Sequence, residues 1–136
     1  MKITDVEIFV VDGGRRPWLF SAVRTDAGIT GYGEFGSGVA AHALVGLIED
    51  FKPHVIGKDP EAVEKLYFDL YRLMRQAPGG LVNMGIAAIE LACWDIKGKA
   101  MGVPVNNLLG GPYRDKQRVY WSHLASARAG DPTLAP

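Results

Sequence analysis

Residues 85–101 read Gly85-Ile86-Ala87-Ala88-Ile89-Glu90-Leu91-Ala92-Cys93-Trp94-Asp95-Ile96-Lys97-Gly98-Lys99-Ala100-Met101, and Gly102-Val103-Pro104 follows at once. Glu90, Asp95, Lys97 and Lys99 are the only charges in this run. The solvated strip is therefore narrow, and the pattern predicts one long helix with most of its circumference against protein. Asp95 and Lys99 form a favourable i,i+4 pair. Gly85, Ala88 and Ala92 fall at i, i+3 and i+7, a small-residue face that another backbone could approach closely. Gly102 suits a left-handed C-terminal cap, and Pro104 cannot continue the helix. Such a helix is buried within a core, since charges interrupt it too often for a membrane span.

The rest of the chain supplies what the helix packs on. Residues 2–11 alternate, with Thr4, Val6, Ile8 and Val10 on one side and Asp5, Glu7 and Phe9 on the other, the period of a half-buried strand. Turn formers occupy residues 12–18, and Leu19–Thr25 reads as a second strand. Asp26-Ala27-Gly28 is a tight turn before a third strand, Ile29–Phe35, weakened by Gly31 and Gly33. The period then becomes helical: Ala40, Leu44, Leu47, Ile48 and Phe51 share a face after a possible cap at Ser37, and Pro53 ends that helix. Asp59-Pro60 starts another, with Glu61 and Glu64 early and Arg72 and Arg75 late, as the helix dipole favours. Strands first and helices second predict an α+β domain, a three-stranded antiparallel meander covered on one face by helices. A further short strand is expected over residues 118–124, with no partner in sight.

With 136 residues the chain suffices for one ordinary core. Fifteen basic and fifteen acidic residues cancel, so nothing in the charge balance asks for nucleic acid or an anionic membrane. A single cysteine, Cys93, excludes a disulfide framework and favours a reducing compartment. The opening residues resemble no leader peptide, so a cytoplasmic location is expected. His42, His54 and His123 have no metal-ligand spacing, and a zinc site is not supported.

The order and spacing from Ala87-Ala88-Ile89-Glu90 through Trp94-Asp95-Ile96-Lys97-Gly98-Lys99 to Pro104-Val105 and Leu108-Leu109-Gly110 resemble the signature helix of the mandelate racemase and muconate lactonising enzymes, within the enolase superfamily. Gly85 and Cys93 depart from the small apolar residues expected at those places. The resemblance implies a capping domain over residues 1–112. It also implies that residues 113–136 begin a C-terminal (β/α) barrel that is otherwise absent. Such enzymes remove a proton alpha to a carboxylate and hold the enediolate on Mg²⁺. The ligands and bases would lie in the missing barrel, and the 136 residues alone are expected to be inactive. Met1-Lys2-Ile3-Thr4, Arg16-Pro17-Trp18 and the Trp94–Lys99 run look closest to sugar-acid dehydratases, so the resemblance implies a sugar-acid dehydratase or a racemase. A small carboxylate or sugar-acid substrate and a homo-oligomer are the expected partners.

Several residues are candidates for substrate contact. Arg15 and Arg16 offer bidentate forks and Trp18 a flat apolar wall, a combination suited to an acid, though a solvated hairpin loop would look the same. The resemblance makes that loop a lid over the substrate. Phe35 falls in Glu34–Ser37, at the position of a second capping loop or of a plain strand-to-helix turn. Ser122 and His123 end a Tyr-x-Ser-His run similar to the first barrel strand of mandelate racemase-like enzymes, where strand ends carry binding groups. Gly31-Tyr32-Gly33-Glu34-Phe35-Gly36 satisfies G-x-G-x-x-G, so dinucleotide binding through Gly31, Gly33 and Gly36 is a minor alternative, disfavoured by Glu34 and by the meander around it. A non-catalytic module for ligand binding or assembly is the other alternative.

Overall fold

The computed structural model describes residues 1–13, 16–37, 40–76 and 79–120. Three strands, β1 (Ile3–Asp12), β2 (Pro17–Thr25) and β3 (Thr30–Ser37), form one antiparallel sheet in the order β1-β2-β3. Three helices follow, α1 (Ala41–Val55), α2 (Val63–Leu73) and α3 (Gly80–Met101), and a single turn of helix, α4 (Val105–Leu108), closes the described elements. Helix α3 lies on the inner face of the sheet, chiefly against β3, with α1 and α2 packed on its flanks. The expected α+β architecture of meander and helical layer is therefore the one observed.

The core lies between the sheet and α3. Leu19 and Val23 of β2 and Val6 of β1 meet Ile86, Ile89, Ile96 and Ala92 of α3, all essentially inaccessible. Ile48 and Phe51 of α1 and Leu66 and Leu70 of α2 complete the cluster. Each fully buried side chain of this size contributes about 1.5–3 kcal/mol relative to its exposed state.

What lets helix and sheet come this close is glycine. A Cβ on Gly31 would collide with the Ala92 carbonyl oxygen and the Ile96 side chain. One on Gly33 would stand 2.9 Å from Ser21 Oγ and 3.0 Å from the Ala88 carbonyl oxygen. Ser21, fully buried in β2, donates its hydroxyl to that Ala88 oxygen at 2.5 Å, so the inserted polar group is satisfied by the helix backbone. The small-residue face of α3 thus receives a backbone at Ala88 and Ala92, while Gly85 receives Leu47 and Phe51 side chains of α1 instead. Asp95 fastens the same seam from outside, accepting from the Tyr32 amide at 2.8 Å and pairing with Lys99 at 2.6 Å. Lys99 in turn donates to the Thr30 carbonyl at 2.8 Å.

Several boundaries differ from the sequence expectation, each for a local reason. A register shift between Ile3 and Asp5 puts Ile3 and Val6 both on the buried face and leaves Thr4 exposed, against the simple alternation. Pro53 lies within α1, whose last turn continues to Val55. A proline there removes one amide bond near the end, and Ile56 still donates to the Lys52 carbonyl. Ser37 belongs to β3, and Ala40 stands at the N-cap of α1 without a side-chain bond. Asp59 makes a turn of its own by accepting from the Glu61 amide at 3.0 Å, which delays α2 to Val63 and leaves Arg75 outside it. Helix α3 begins at Gly80, five residues before Gly85, because Val82 and Ile86 both reach the core. Its end is as expected: Gly102 is left-handed at φ 67°, and Gly102 and Val103 donate back to the last turn. Residues 118–120 pair with no strand among the described residues, and 121–124, the remainder of that expected strand, lie outside them.

Two outcomes follow from this packing. Gly31→Ala should destabilise the domain towards the upper end of the about 1–3 kcal/mol typical of overpacking, measured by urea unfolding, whereas Gly46→Ala, with open space around it, should not. On β1, Lys52 holds the Asp5 carboxyl below its ordinary value of 3.8 through an ion pair of 2.6 Å, and Asp5 raises Lys52 above 10.5. The carboxylate's share of stability is complete above its unfolded pKa and is lost as pH falls through the lowered folded value. The ammonium's share is complete below 10.5 and is lost as pH rises through the raised one. The Tm difference between the parent and Lys52→Met should therefore hold through neutral pH and close at both extremes.

Candidate functional site

The hairpin end of the sheet carries the sequence candidates. The strand alternation of β2 buries Leu19 and turns Trp18 to the opposite face, where it remains 41% exposed. Its Cα partners are Val11 on one side and Ser37 on the other. That pairing brings the β1–β2 connection and the β3–α1 connection to the same end of the domain, one on each side of Trp18. The ladder between β2 and β3 shifts register between Trp18 and Phe20, which bends the strand where it reaches this end.

Within the hairpin, the indole of Trp18 lies over Gly13. A Cβ at Gly13 would collide with the ring at Cδ1 and Nε1 and with the Arg16 carbonyl oxygen. The backbone at Gly13 therefore lies directly against the indole. Arg16, two residues earlier in the chain, is exposed, so the hairpin end carries both a guanidinium and an aromatic wall. That combination can recognise a carboxylate by paired N–H donors and cover the carbon skeleton by apolar contact.

The other candidates fare differently. Arg15, Ser122 and His123 lie outside the described residues. Phe35 is 4% exposed and belongs to the core with Leu19 and Leu44, so its ring faces inward and is no part of the surface around Trp18. Strand alternation from the exposed Glu34 indicates this when Phe35 is taken as the last residue of the expected third strand and not as part of a capping loop. Gly31 and Gly33 are filled from behind by α3, and no phosphate can approach their backbone on that side. A Cβ on Gly36, at φ 54°, would stand 3.0 Å from Leu44 Cδ1. The glycine motif is thus a packing device of an antiparallel strand, and the dinucleotide alternative is withdrawn.

Acid–base and metal chemistry find little here. Among the described residues, no three His, Cys, Asp or Glu side chains converge so as to hold a metal ion. Glu90 accepts from Trp94 Nε1 at 3.2 Å and Asp95 is engaged at the seam, so both serve to anchor. Burial, and then the nearby Glu90 charge, pushes the Cys93 thiol up to about 12, which removes it as a nucleophile. Among the described residues no helix is long and apolar enough to cross a membrane.

Residues 8–110 match the family model described as mandelate racemase / muconate lactonizing enzyme, N-terminal domain. The chain belongs to this family. A D-galactonate dehydratase of Xanthomonas axonopodis pv. citri is 44% identical over 103 residues, which is 76% of this chain and 27% of that protein. The D-galactonate dehydratase of Variovorax paradoxus is 40% identical over 120 residues, 88% of this chain and 31% of that one. This chain of the family thus spans about a third or less of the length of these curated relatives. Among solved structures, a candidate L-alanine-DL-glutamate epimerase of Burkholderia xenovorans superposes with a TM-score of 0.91 at 37% identity, covering 98% of this chain and 34% of that one. Another structure of that epimerase is bound to magnesium and fumarate. An enolase superfamily member from Salmonella Typhimurium superposes with a TM-score of 0.78 at 37% identity over 83% of this chain and 30% of its own. This domain is therefore an enolase superfamily N-terminal domain with sugar-acid dehydratases among its relatives.

The close stacking of Trp18 on Gly13 is itself testable. In a Trp94→Phe, Trp121→Phe background, Gly13→Ala should shift the emission of Trp18 and raise its quenching by acrylamide while the circular dichroism spectrum stays unchanged.

Proposed function

We propose that this domain is the substrate-capping part of an enzyme that abstracts a proton alpha to a carboxylate, a dehydratase acting on a sugar acid of the galactonate type. The observation that carries this reading is the pairing of Trp18 with Ser37, which gathers two loops at one end of the sheet with Arg16 and Trp18 exposed there. The relatives named D-galactonate dehydratase favour elimination of water over racemisation. Arg16 binds the acid as a fixed cation, and Trp18 shields its carbon chain from water, which strengthens each polar contact made beneath. Arg15 belongs to the same loop and takes the same role.

The described residues do not fit Mg²⁺, having no ligand set for it. In this reading the metal and the base belong to the two thirds of the relatives' length that this chain does not cover. There Mg²⁺ would stabilise the enediolate, and no step in that chemistry passes through the residues of this domain. Residues 1–112 are the cap, and 113–136 lead into a barrel whose first strand ends with Ser122 and His123 at the substrate.

The test is kinetic, in a complete polypeptide carrying this domain. With D-galactonate as substrate, Arg16→Ala should lower kcat/KM about 10-fold or more, mainly through KM, as loss of uniform binding does. Arg16→Lys, which keeps the charge and loses the fork, should recover only part of it. Unchanged kcat/KM in Arg16→Ala would reject the capping role of this loop, and absence of water elimination from any sugar acid by the parent would reject the dehydratase reading. The 136 residues alone should show no turnover.

A further inference from the structure

Among the described residues the sheet has two edges, β1 and β3. A strand edge is a row of backbone donors and acceptors, a template for pairing with another chain. In an antiparallel ladder every second residue directs its N–H and C=O groups away from the neighbouring strand. The Tyr32 amide on β3 and the Val6 amide on β1 donate to aspartate side chains and not to β2, which marks both as outward groups. By alternation Thr30, two residues before Tyr32, is outward as well.

On β3 the Thr30 carbonyl and the Tyr32 amide flank Gly31. A residue of an added parallel strand, opposite Gly31, would donate its N–H to the first and accept from the second with its C=O. Helix α3 supplies both halves of that residue. Lys99 Nζ donates to the Thr30 carbonyl at 2.8 Å, and Asp95 Oδ2 accepts from the Tyr32 amide at 2.8 Å, both ordinary hydrogen-bond lengths. The two side chains stand one turn apart on the helix and are joined at 2.6 Å. The ammonium also lies 4.8 Å from the centre of the Tyr32 ring, which holds it over the edge.

The edge of β1 is closed at the same end of the sheet by other means. The Ile3 amide donates to the Lys58 carbonyl at 2.9 Å and the Ile3 carbonyl accepts from the Gly57 amide at 2.8 Å, so the α1–α2 connection covers this residue. The register shift before Asp5 then bends the strand. Next, the Val6 amide is taken by Asp5 Oδ1 at 2.9 Å, and Lys52 of α1 holds that carboxylate at 2.6 Å. Each edge therefore carries an aspartate on an outward amide and a helix lysine on the aspartate.

We propose that Asp95 and Lys99 are an edge guard: their side chains imitate one residue of a parallel strand and so deny the edge of β3 to other chains, with Asp5 and Lys52 as the counterpart on β1. This role is independent of the capping reading. It also differs from fastening α3 to the sheet, because fastening concerns stability, whereas denial requires that the outward backbone groups be filled.

Two substitutions separate these roles. Asp95→Leu keeps much of the side-chain bulk and has no acceptor, while Asp95→Asn keeps a carbonyl for the Tyr32 amide. Both remove the charge that pairs with Lys99, so fastening by the ion pair alone predicts the same behaviour for each. The full chain is followed by sedimentation over a concentration series, by hydrogen exchange at the Tyr32 amide, and by thioflavin T emission as the reporter of added strands. Asp95→Leu should exchange that amide about 10-fold faster or more, and should form thioflavin-binding species, larger than those of the parent, that grow with concentration. Asp95→Asn should keep the parent's size. Val63→Ala, a core truncation in α2 that leaves both edges intact, is the destabilised reference and should keep it too. Asp95→Leu at the parent's size throughout, Asp95→Asn associating as far as Asp95→Leu, or Val63→Ala associating as readily would each overturn the guard.

Discussion

The approach of β3 to the backbone of α3 is the constraint from which the rest of the domain follows. Strand and helix meet carbonyl to backbone at Gly31 and Ala92 and at Gly33 and Ala88, closer than any side chain would permit. The hydroxyl of Ser21 enters the seam and is satisfied there by Ala88. Once the strand is held at this distance, the isoleucines of α3 reach the valines and leucine of β1 and β2 without a gap. Dense packing of this sort tolerates little change in volume. The cost of glycine in a strand, lost conformational entropy and no side chain to pack, is offset by the contact it permits.

The same seam decides what the outer surface looks like. With Gly31, Gly33 and Phe35 directed inward, Tyr32 and Glu34 are directed outward, and the period of two carries that division across the ladder to Phe20, Phe9 and Trp18. The aromatic side chains of the outer face are consequences of register, not of local loop chemistry. Trp18 belongs both to this face and to the hairpin end, where the surface proposed for the substrate lies.

Much of this was legible in the amino-acid order. The period of two over β1 to β3, the change to 3.6 from Ala40, and the Gly102 and Pro104 punctuation gave the elements, and the run from Ala87 to Gly110 gave the family. The failures share a physical character. The stretch from Gly80 to Met84 falls outside the long helix expected from the sequence because nothing local shows that Val82 reaches the core. Pro53 read as a stop because the sequence does not reveal which turn of α1 it occupies. The shift at Ile3 and Asp5 left no trace, since a bulge is settled by pairing with β2 and not by β1 itself. Phe35 read both as the end of the third strand and as a capping-loop residue, because Gly36 and Ser37 beside it resemble a turn. In each case a distant contact overrode a local preference, and only residues with unusual demands, such as Gly31 and Gly33, marked such contacts in advance, though as apparent weaknesses.

The stacking of Trp18 on Gly13 has a meaning for how such a domain could diversify. The spacing of sheet and helix is fixed by residues 21, 31, 33, 88 and 92, none of which belongs to the hairpin. Arg16 lies outside the core and can change identity with little effect on folding, since surface substitutions seldom alter stability by more than about 0.5 kcal/mol. Gly13 is different, being tied to the indole that orients the loop. A lineage of such proteins could therefore exchange the charge at position 16 freely and acquire new acids as ligands, while positions 13 and 18 would have to change together. Selection for a new specificity would meet its obstacle at that pair, within the loop, and not in the fold that supports it.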